Sequence, residues 1–382
     1  MNAPKRWLIV AGPLSGYTFD LFREVRRLAA VDVGIVHDPL VSEGQFAHQR
    51  FSDPDFESLE WRRASTADLS KFITRPLPAA VFAYGLEPKK ALALARTLLP
   101  RDVPFLYAAD SNVAELVAHD GLLAPRLIGY RLLAARIDVG LSLGLSNQLA
   151  LRLLGMQRVE PIPVYAVDYD ALDRAASEGG GVTLADGPEP RLTLLVVARL
   201  VAAKNLVPTF EALGSDARLR SQIRVVVVGD GPLRGEVEAA IRRHPGLDVQ
   251  LLGAIPHARV GALIATADAL LLPSVVEPWG IVVTEALGMG VPVVATPAVG
   301  AAVSLAGMTQ AVVLSDSCDG ESIVAALRVF VQRHAALRTA AHAAKAQVRQ
   351  RYSKQAVARA LIELVANLGT KVATGNEQVS FR

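Results

Sequence analysis

One cysteine, Cys318, stands in a chain of 382 residues. That excludes an internal disulfide and fits a reducing, cytoplasmic setting. Aromatic residues are scarce too, at 5%, and the lysines and arginines are scattered rather than blocked. A nucleic-acid surface needs clustered cations with stacking rings among them, so that class of partner is not expected, despite a net charge of +3. The histidines are dispersed and form no H-E-x-x-H; neither a G-x-S-x-G elbow nor a G-x-x-x-x-G-K-[ST] loop occurs. Zinc-protease, serine-hydrolase and P-loop chemistry are therefore excluded, and no metal site is expected.

Charge is missing from one long stretch. From Ala286 to Ser315 no residue is ionisable, which on length alone would suffice for a membrane span. Pro292, Pro297 and glycines at 288, 290, 300 and 307 interrupt it, so a helix end, a buried strand and a loop are expected instead. The opening "MNAPKRWLIVAGPLSG" has a positive start, but its apolar run breaks at Gly12–Pro13. It is too short for a signal segment and reads as a first strand.

What is present is a large apolar fraction, 51%, enough for two domains with cores of their own. Apolar strand candidates ("RWLIVAG", "VDVGIVH", "AAVFAYG", "VPFLYAAD") alternate with helical patterns. Strands apolar on both faces belong in parallel sheets covered by helices. The alternation lapses in "DRAASEGGGVTLADGPEPR", of linker composition. It then resumes with "RLTLLVVAR", "IRVVVVGDG", "DVQLLGA", "DALLLPS", "VPVVATP" and "AVVLSD". The expected fold is α/β, two Rossmann-like doubly wound domains. The first spans residues 1–170, a linker 171–190, and the second 191–352. A closing amphipathic helix over about 353–370 carries Ala356, Ala360, Leu361 and Leu364 on one side, and a polar, frayed tail follows over 371–382. Ligands of such sheets lie beyond the carboxyl ends of the strands, with the cleft between two facing sheets the expected site.

Within Leu270–Ser315 the only ionisable groups are Glu277 and Glu285. Carboxylates in so apolar a setting cost free energy unless partnered. Pro278 disfavours helix at Glu277, which places Glu277 in a loop. A helix then starts near Trp279–Gly280 and ends at Gly290, with Glu285 a turn and a half inside, looking toward the same space. The two are either structural glutamates or acceptors for vicinal hydroxyls, beside a helix N-terminus suited to phosphate. "VVARLVAAKN" presents Arg199 and Lys204 at a strand's carboxyl end. This is a solvated turn or, given the glutamates on the same edge, a diphosphate clamp of one bidentate fork and one point charge.

"VVVVGDGPLRGEVE" resembles a dinucleotide fingerprint, but its spacing is G-x-G-x-x-x-G and Asp248 begins the next strand instead of ending it. Gly229 to Gly231 therefore reads as a tight turn closing against a nucleotide. Gly12 and Gly16 either shape the loop after the first strand or let backbone approach a phosphate or acceptor. Asp110, at the end of "FLYAAD", is a helix N-cap or an acceptor pointing into the cleft. "RLIGYRLLAAR" is a surface helix or a contact for anionic lipid.

Taken in order, "ARLVAAK", "GDGPL" and "EPWGIVVTEALGMGVPVVAT" resemble the donor domain of the retaining GT-B glycosyltransferases of family four, the glycogen-synthase-like group. Its motifs are G-R-L-x-x-x-K, G-x-G-x-L and E-P-[FW]-G-[IL]-x-x-x-E followed by G-x-P-V-V-A; Ala198 takes the usual glycine place. The resemblance implies a metal-independent transferase with no cofactor beyond its nucleoside-diphosphate sugar. Transfer would go, with retained anomeric configuration, to a glycan or lipid-linked sugar acceptor. Arg199 and Lys204 would hold the diphosphate, Glu285 the ribose and Glu277 the donor sugar. Backbone at Trp279, Gly280 and Ile281 and the turn Gly229–Gly231–Pro232–Leu233 would line the donor, with Gly16 facing it. Where the family often has a histidine, this chain has Asp110. "PVYAVDYDAL" looks like the family's P-N-G-V-D segment without its Asn-Gly. The last helix would return to the amino domain, and the enzyme would work in the cytoplasm, in contact with the inner membrane face or not. A sugar-nucleotide epimerase, a sugar phosphorylase on a similar fold, and a non-catalytic sugar-nucleotide-binding partner stand as alternatives.

Overall fold

A computed structural model of the chain describes residues 5–11, 15–37, 56–61, 63–74, 76–85, 103–109, 123–178 and 191–374. The chain divides into two compact units, Met1–Ala166 with Lys354–Arg382, and Val167–Ser353.

The first unit runs β1 (Arg6–Ala11), α1 (Gly16–Ala29), β2 (Asp32–His37), β3 (Glu57–Glu60), α2 (Thr66–Thr74), β4 (Ala80–Tyr84), β5 (Phe105–Ala108), α3 (Leu123–Ala134), β6 (Val139–Leu141), α4 (Leu145–Leu153) and β7 (Val159–Glu160). Its seven-stranded sheet has the order β3-β2-β1-β4-β5-β6-β7, and every pairing is parallel. β1, β4 and β5 are buried along their whole length, as uninterrupted apolar strands require. β3, β6 and β7 are two to four residues long, too brief to show an alternation in the sequence.

The second unit runs α5 (Tyr169–Ser177), β8 (Leu192–Val197), α6 (Leu206–Ser215), α7 (Ala217–Gln222), β9 (Ile223–Val228), α8 (Arg234–Arg243), β10 (Val249–Gly253), α9 (His257–Thr266), β11 (Ala269–Leu272), α10 (Ile281–Met289), β12 (Val293–Ala295), α11 (Gly300–Ala306), β13 (Val312–Leu314) and α12 (Gly320–Tyr352). All strands are parallel in the order β10-β9-β8-β11-β12-β13. Both units are thus doubly wound α/β sheets of Rossmann type. Phe210 and Phe330, neither with any exposed surface, pack α6 and α12 onto one face of the second sheet with Leu194, Val196, Val225 and Val227. α13 (Lys354–Thr374) belongs to the first unit and packs on α1. Its buried side is Val357, Ala358, Leu361, Leu364, Val365 and Leu368. Of the expected apolar side, Leu361 and Leu364 lie there, whereas Ala356 and Ala360 are only half-buried.

The unit boundary falls at Ala166/Val167, not at 170, and residues 171–178 lie in or just after a helix of the second unit. Asp168 caps α5 by accepting from Ala171 N (3.1 Å). α5 then packs tightly on α9 and α10. A Cβ on Gly261 would stand 2.5 Å from Leu172 O, and one on Gly288 would meet the Tyr169 ring. Tyr169 Oη donates to Thr284 O (2.9 Å). Arg349 of α12 donates to both carboxylate oxygens of Asp173 (2.6 and 2.7 Å) and to Gly288 O (2.6 Å), with its guanidinium over the Tyr169 ring. The rest of the expected linker, 179–190, and the end of the tail lie outside the described residues. Among the described residues no helix is long and apolar enough to cross a membrane. The uncharged stretch is divided among the end of α10, β12, α11 and β13.

The Arg349 guanidinium holds the Asp173 carboxyl below its ordinary pKa. A depressed carboxylate contributes stability that is present above its unfolded pKa and lost as pH falls through the folded one. Arg349→Gln should therefore destabilise the protein most near pH 7, with the gap to wild type narrowing below about pH 4. Urea unfolding at the two pH values checks this; a gap that widens in acid would rule the pair out as its source.

Candidate active site at the reversal point of the second sheet

Strand order reverses at β8, so the loops after β8 and its neighbour β11 flank the crevice where doubly wound sheets hold ligands. The loop after β8 carries Arg199 and then a single 3₁₀ turn, Ala202–Lys204. Asn205 ends that turn at φ 58°, and its side-chain amide donates to Cys318 O (2.7 Å). The loop after β11 reaches across, with Val275 N donating to Ala203 O (2.9 Å). These contacts bring Lys204 Nζ onto the Glu277 carboxylate. Both side chains are mostly buried. Burial pushes the Arg199 guanidinium below its ordinary pKa, and the charge of Glu277 opposes that shift. Arginine stays cationic throughout. Two cations and one carboxylate leave this corner of the site net positive.

Glu277 is held by its backbone: its carbonyl accepts from Gly300 N (3.1 Å), and Trp279 O accepts from Ala301 N (2.8 Å). Gly280 sits at φ 83°, where a Cβ would crowd Glu277, Leu272 and Val299 at 3.0–3.1 Å. α10 begins directly after it with no side-chain cap, and ends at Gly290 in the left-handed region. Its first backbone N–H groups are therefore free to meet an anion. The Trp279 ring packs on Tyr352 (5.8 Å between centroids), and its buried indole N–H has no hydrogen-bond partner among the described residues.

Glu285 is buried. Its side chain is 2% exposed, and His257 Nε2 lies 2.9 Å from Glu285 Oε1. The buried hydroxyl of Tyr169, which reaches Thr284 O of α10 from α5, has its pKa raised, first by burial and then by the charge of Glu285. It remains a donor. His257 is the member of this group that sequence reasoning missed. It opens α9, and dispersed histidines carry no pattern; only tracing the loop after each parallel strand would have singled it out.

Gly229, Gly231, Pro232 and Leu233 form the turn after β9. It is packed against the loop bearing Arg199. A Cβ on Gly229 (φ 135°) would collide with Ala198 O, and one on Gly231 would stand 2.5 Å from Leu200 O. Leu200 N donates to Asp230 O and Leu233 N to Leu200 O, both at 3.0 Å. These two glycines are thus required by the neighbouring loop, whatever else the turn touches. Gly16 belongs to the first unit, where it opens α1 after the Ser15 cap; a Cβ there would meet nothing among the described residues. Asp110 and Gly12 lie outside the described residues.

Residues 186–364 match the family described as Glycosyl transferases group 1. The chain is 29% identical over 178 residues to glycogen synthase of Mycobacterium tuberculosis, covering 45% of this chain and 41% of that protein. It is 27% identical over 252 residues to 2-deoxystreptamine glucosyltransferase of Streptomyces kanamyceticus, covering 62% and 64%. It therefore spans less than two-thirds of the length of either relative. The structure is similar to that of Alr3699/HepE of Anabaena solved with UDP, with a TM-score of 0.68 at 16% identity, over 95% of this chain and 100% of that one. At that identity the likeness establishes the shared fold.

Gly229→Ala should destabilise the second unit by roughly 1–3 kcal/mol, the scale of a strained backbone position, because a new Cβ meets a backbone carbonyl. Thermal unfolding checks this. A variant as stable as wild type would mean that the two loops move apart at no cost.

Proposed function

We propose that this chain, whose residues 186–364 belong to the glycosyl transferases group 1, moves a sugar from a nucleoside-diphosphate donor to a glycan or glycolipid acceptor. The observation that carries the reading is the cluster of Arg199, Lys204 and Glu277 beside the uncapped start of α10, on the two loops that flank the reversal of strand order. In the transfer, the bond between the donor sugar's anomeric carbon and the phosphate oxygen breaks, and its electron pair leaves with the diphosphate. Arg199, Lys204 and the helix N-terminus take up the charge that develops there, so the charge stabilisation needs no metal ion. The acceptor hydroxyl attacks on the face from which the diphosphate departs, which retains configuration, and its proton passes to the departing phosphate oxygen.

Glu277 accepts hydrogen bonds from the donor sugar while Lys204 turns toward phosphate. Glu285, held by His257, receives the ribose hydroxyls, and backbone at Trp279, Gly280 and Ile281 lines the donor with the Gly229–Leu233 turn. Gly16 is assigned to the donor and Asp110 to the donor sugar by the same reading. The setting is cytoplasmic. Alr3699/HepE, which shares the fold, was solved in complex with UDP, and that makes UDP the first nucleotide to try.

Thermal unfolding with millimolar UDP, GDP, ADP, CMP or NAD should single out one nucleoside diphosphate. A ligand at a hundred times its Kd adds about 2.7 kcal/mol, a shift of roughly 5–10 °C for domains of this size. A shift with NAD alone would overturn the reading. With donor and acceptor in hand, Lys204→Ala or Arg199→Ala should lower kcat on the order of 10²–10³-fold, as loss of one transition-state donor does, while the fold is kept. Near-wild-type turnover would remove the residue from the site. Epimerised donor formed without acceptor, or turnover that depends on inorganic phosphate, would replace the transferase reading altogether.

A further inference from the structure

Large aliphatic side chains are exposed singly on most proteins without consequence. Here the five most exposed among the described residues fall on two consecutive helices of the first unit. They are Ile128 (62%) and Leu132 (48%) on α3, and Leu145 (59%), Leu149 (58%) and Leu153 (59%) on α4. Spacings of four put each set on one helix face. The opposite face of α4 is fixed to the core: Ala150, Leu151 and Leu154 are buried. Asn147 donates to Ala109 O (2.9 Å) and accepts from Leu143 N (3.0 Å), so the leucine row is presented by a helix anchored to the core. The two helices meet at their ends, where a Cβ on Gly155 would lie 3.4 Å from Arg131 Cγ and 3.5 Å from Ala134.

The charge beside this surface has one sign. Arg131 and Arg152 are exposed next to Leu132 and Leu153, and neither pairs with a carboxylate among the described residues. The two carboxylates between residues 128 and 160 are engaged elsewhere: Asp138 accepts from Phe105 N (2.7 Å) and Glu160 from Arg158 (2.9 Å). Helices of 12 and 9 residues are too short to span a bilayer. An aliphatic row flanked by arginines is the composition of a helix lying in the headgroup layer. Protein interfaces draw instead on aromatic side chains and methionine, and among the described residues none is exposed on this face; Tyr130 is half-buried against the core.

We infer that the exposed faces of α3 and α4 form a docking surface for an anionic bilayer, with Leu145, Leu149, Leu153, Ile128 and Leu132 entering the acyl boundary and Arg131 and Arg152 meeting lipid phosphates. Such a surface would hold the protein where a lipid-linked acceptor is found. Vesicle binding needs no nucleotide, so the inference stands or falls apart from the donor site.

The test is flotation of the full chain with vesicles of phosphatidylcholine alone and with about one-third phosphatidylglycerol. Binding to the anionic vesicles is expected, weaker in high salt. Leu145→Ser, Leu149→Ser and Leu153→Ser together should lower the partition coefficient on the order of 10²-fold or more, with an unchanged thermal midpoint. Arg131→Gln with Arg152→Gln, which leaves the leucines in place, should lower it by about fivefold per arginine. No flotation with wild type, or flotation undiminished in the triple variant, overturns the assignment. So does a wild-type dimer in solution that the triple variant dissolves, since the face would then belong to a second copy of the chain.

Discussion

Everything at the carboxyl edge of the second sheet depends on how closely four loops approach one another through their backbones. Parallel strands deliver their following loops to one edge, and here those loops touch with no side chain between them. Gly229 faces Ala198 O, Gly231 faces Leu200 O and Gly300 faces Pro278 O at distances no Cβ could share. The hydrogen bonds among Leu200, Asp230 and Leu233, and between Glu277 and Gly300, satisfy groups that such contact takes from water. The result is a stiff floor. Arg199, Lys204 and Glu277 project from it, so their mutual position is set by backbone contact and not by their own flexible side chains.

That stiffness bears on the charges. A largely buried Lys–Glu pair loses much of its Coulombic gain to desolvation, so the pair is weak evidence for stability. It is more readily understood as a site held in balance. Two cations against one carboxylate give a net positive corner next to the unpaired amides of α10, which favours a polyanion over a monovalent one. A diphosphate brought there would compete with Glu277 for Lys204 and release the carboxylate for hydroxyl groups. On the function proposed above, the same three side chains would serve the phosphate end and the sugar end of one ligand.

The sequence was most informative where backbone geometry demands particular residues. The left-handed Gly280 and Gly290 bracket α10, Pro278 keeps Glu277 out of it, and the apolar runs of β8, β9 and β11 leave little choice but a buried parallel sheet. The ends of the elements around Arg199, Lys204, Glu277 and Glu285 were accordingly legible. What was not legible depends on contacts between segments distant in the chain. Tyr169–Ser177 has the polar composition of a linker, and only Gly261, Gly288 and Arg349, some 90 to 180 residues away, make it a packed helix. His257 meets Glu285 across 28 positions. Strands of two to four residues have no room for a period. Nothing in the sequence marks the leucines of α4 as exposed, because periodicity identifies an apolar face without saying whether anything covers it.

α5 also links the site to its support. Tyr169 lies against Gly288 and donates to Thr284 O, one residue before Glu285, while Arg349 spans Asp173 and Gly288 O. At the helix end, a Cβ on Gly290 would meet His342 of α12 at 2.8 Å. α10 is therefore gripped along its second half by α5 and α12, while its N-terminus carries no side-chain cap. A helix held at one end and uncapped at the other keeps its free N–H groups aimed at a fixed point, which electrostatic stabilisation of a departing anion requires. Because Glu285 lies in the gripped half, its carboxylate does not have to be repositioned from solvent. His257, which is half exposed, is the more accessible member of its pair with Glu285.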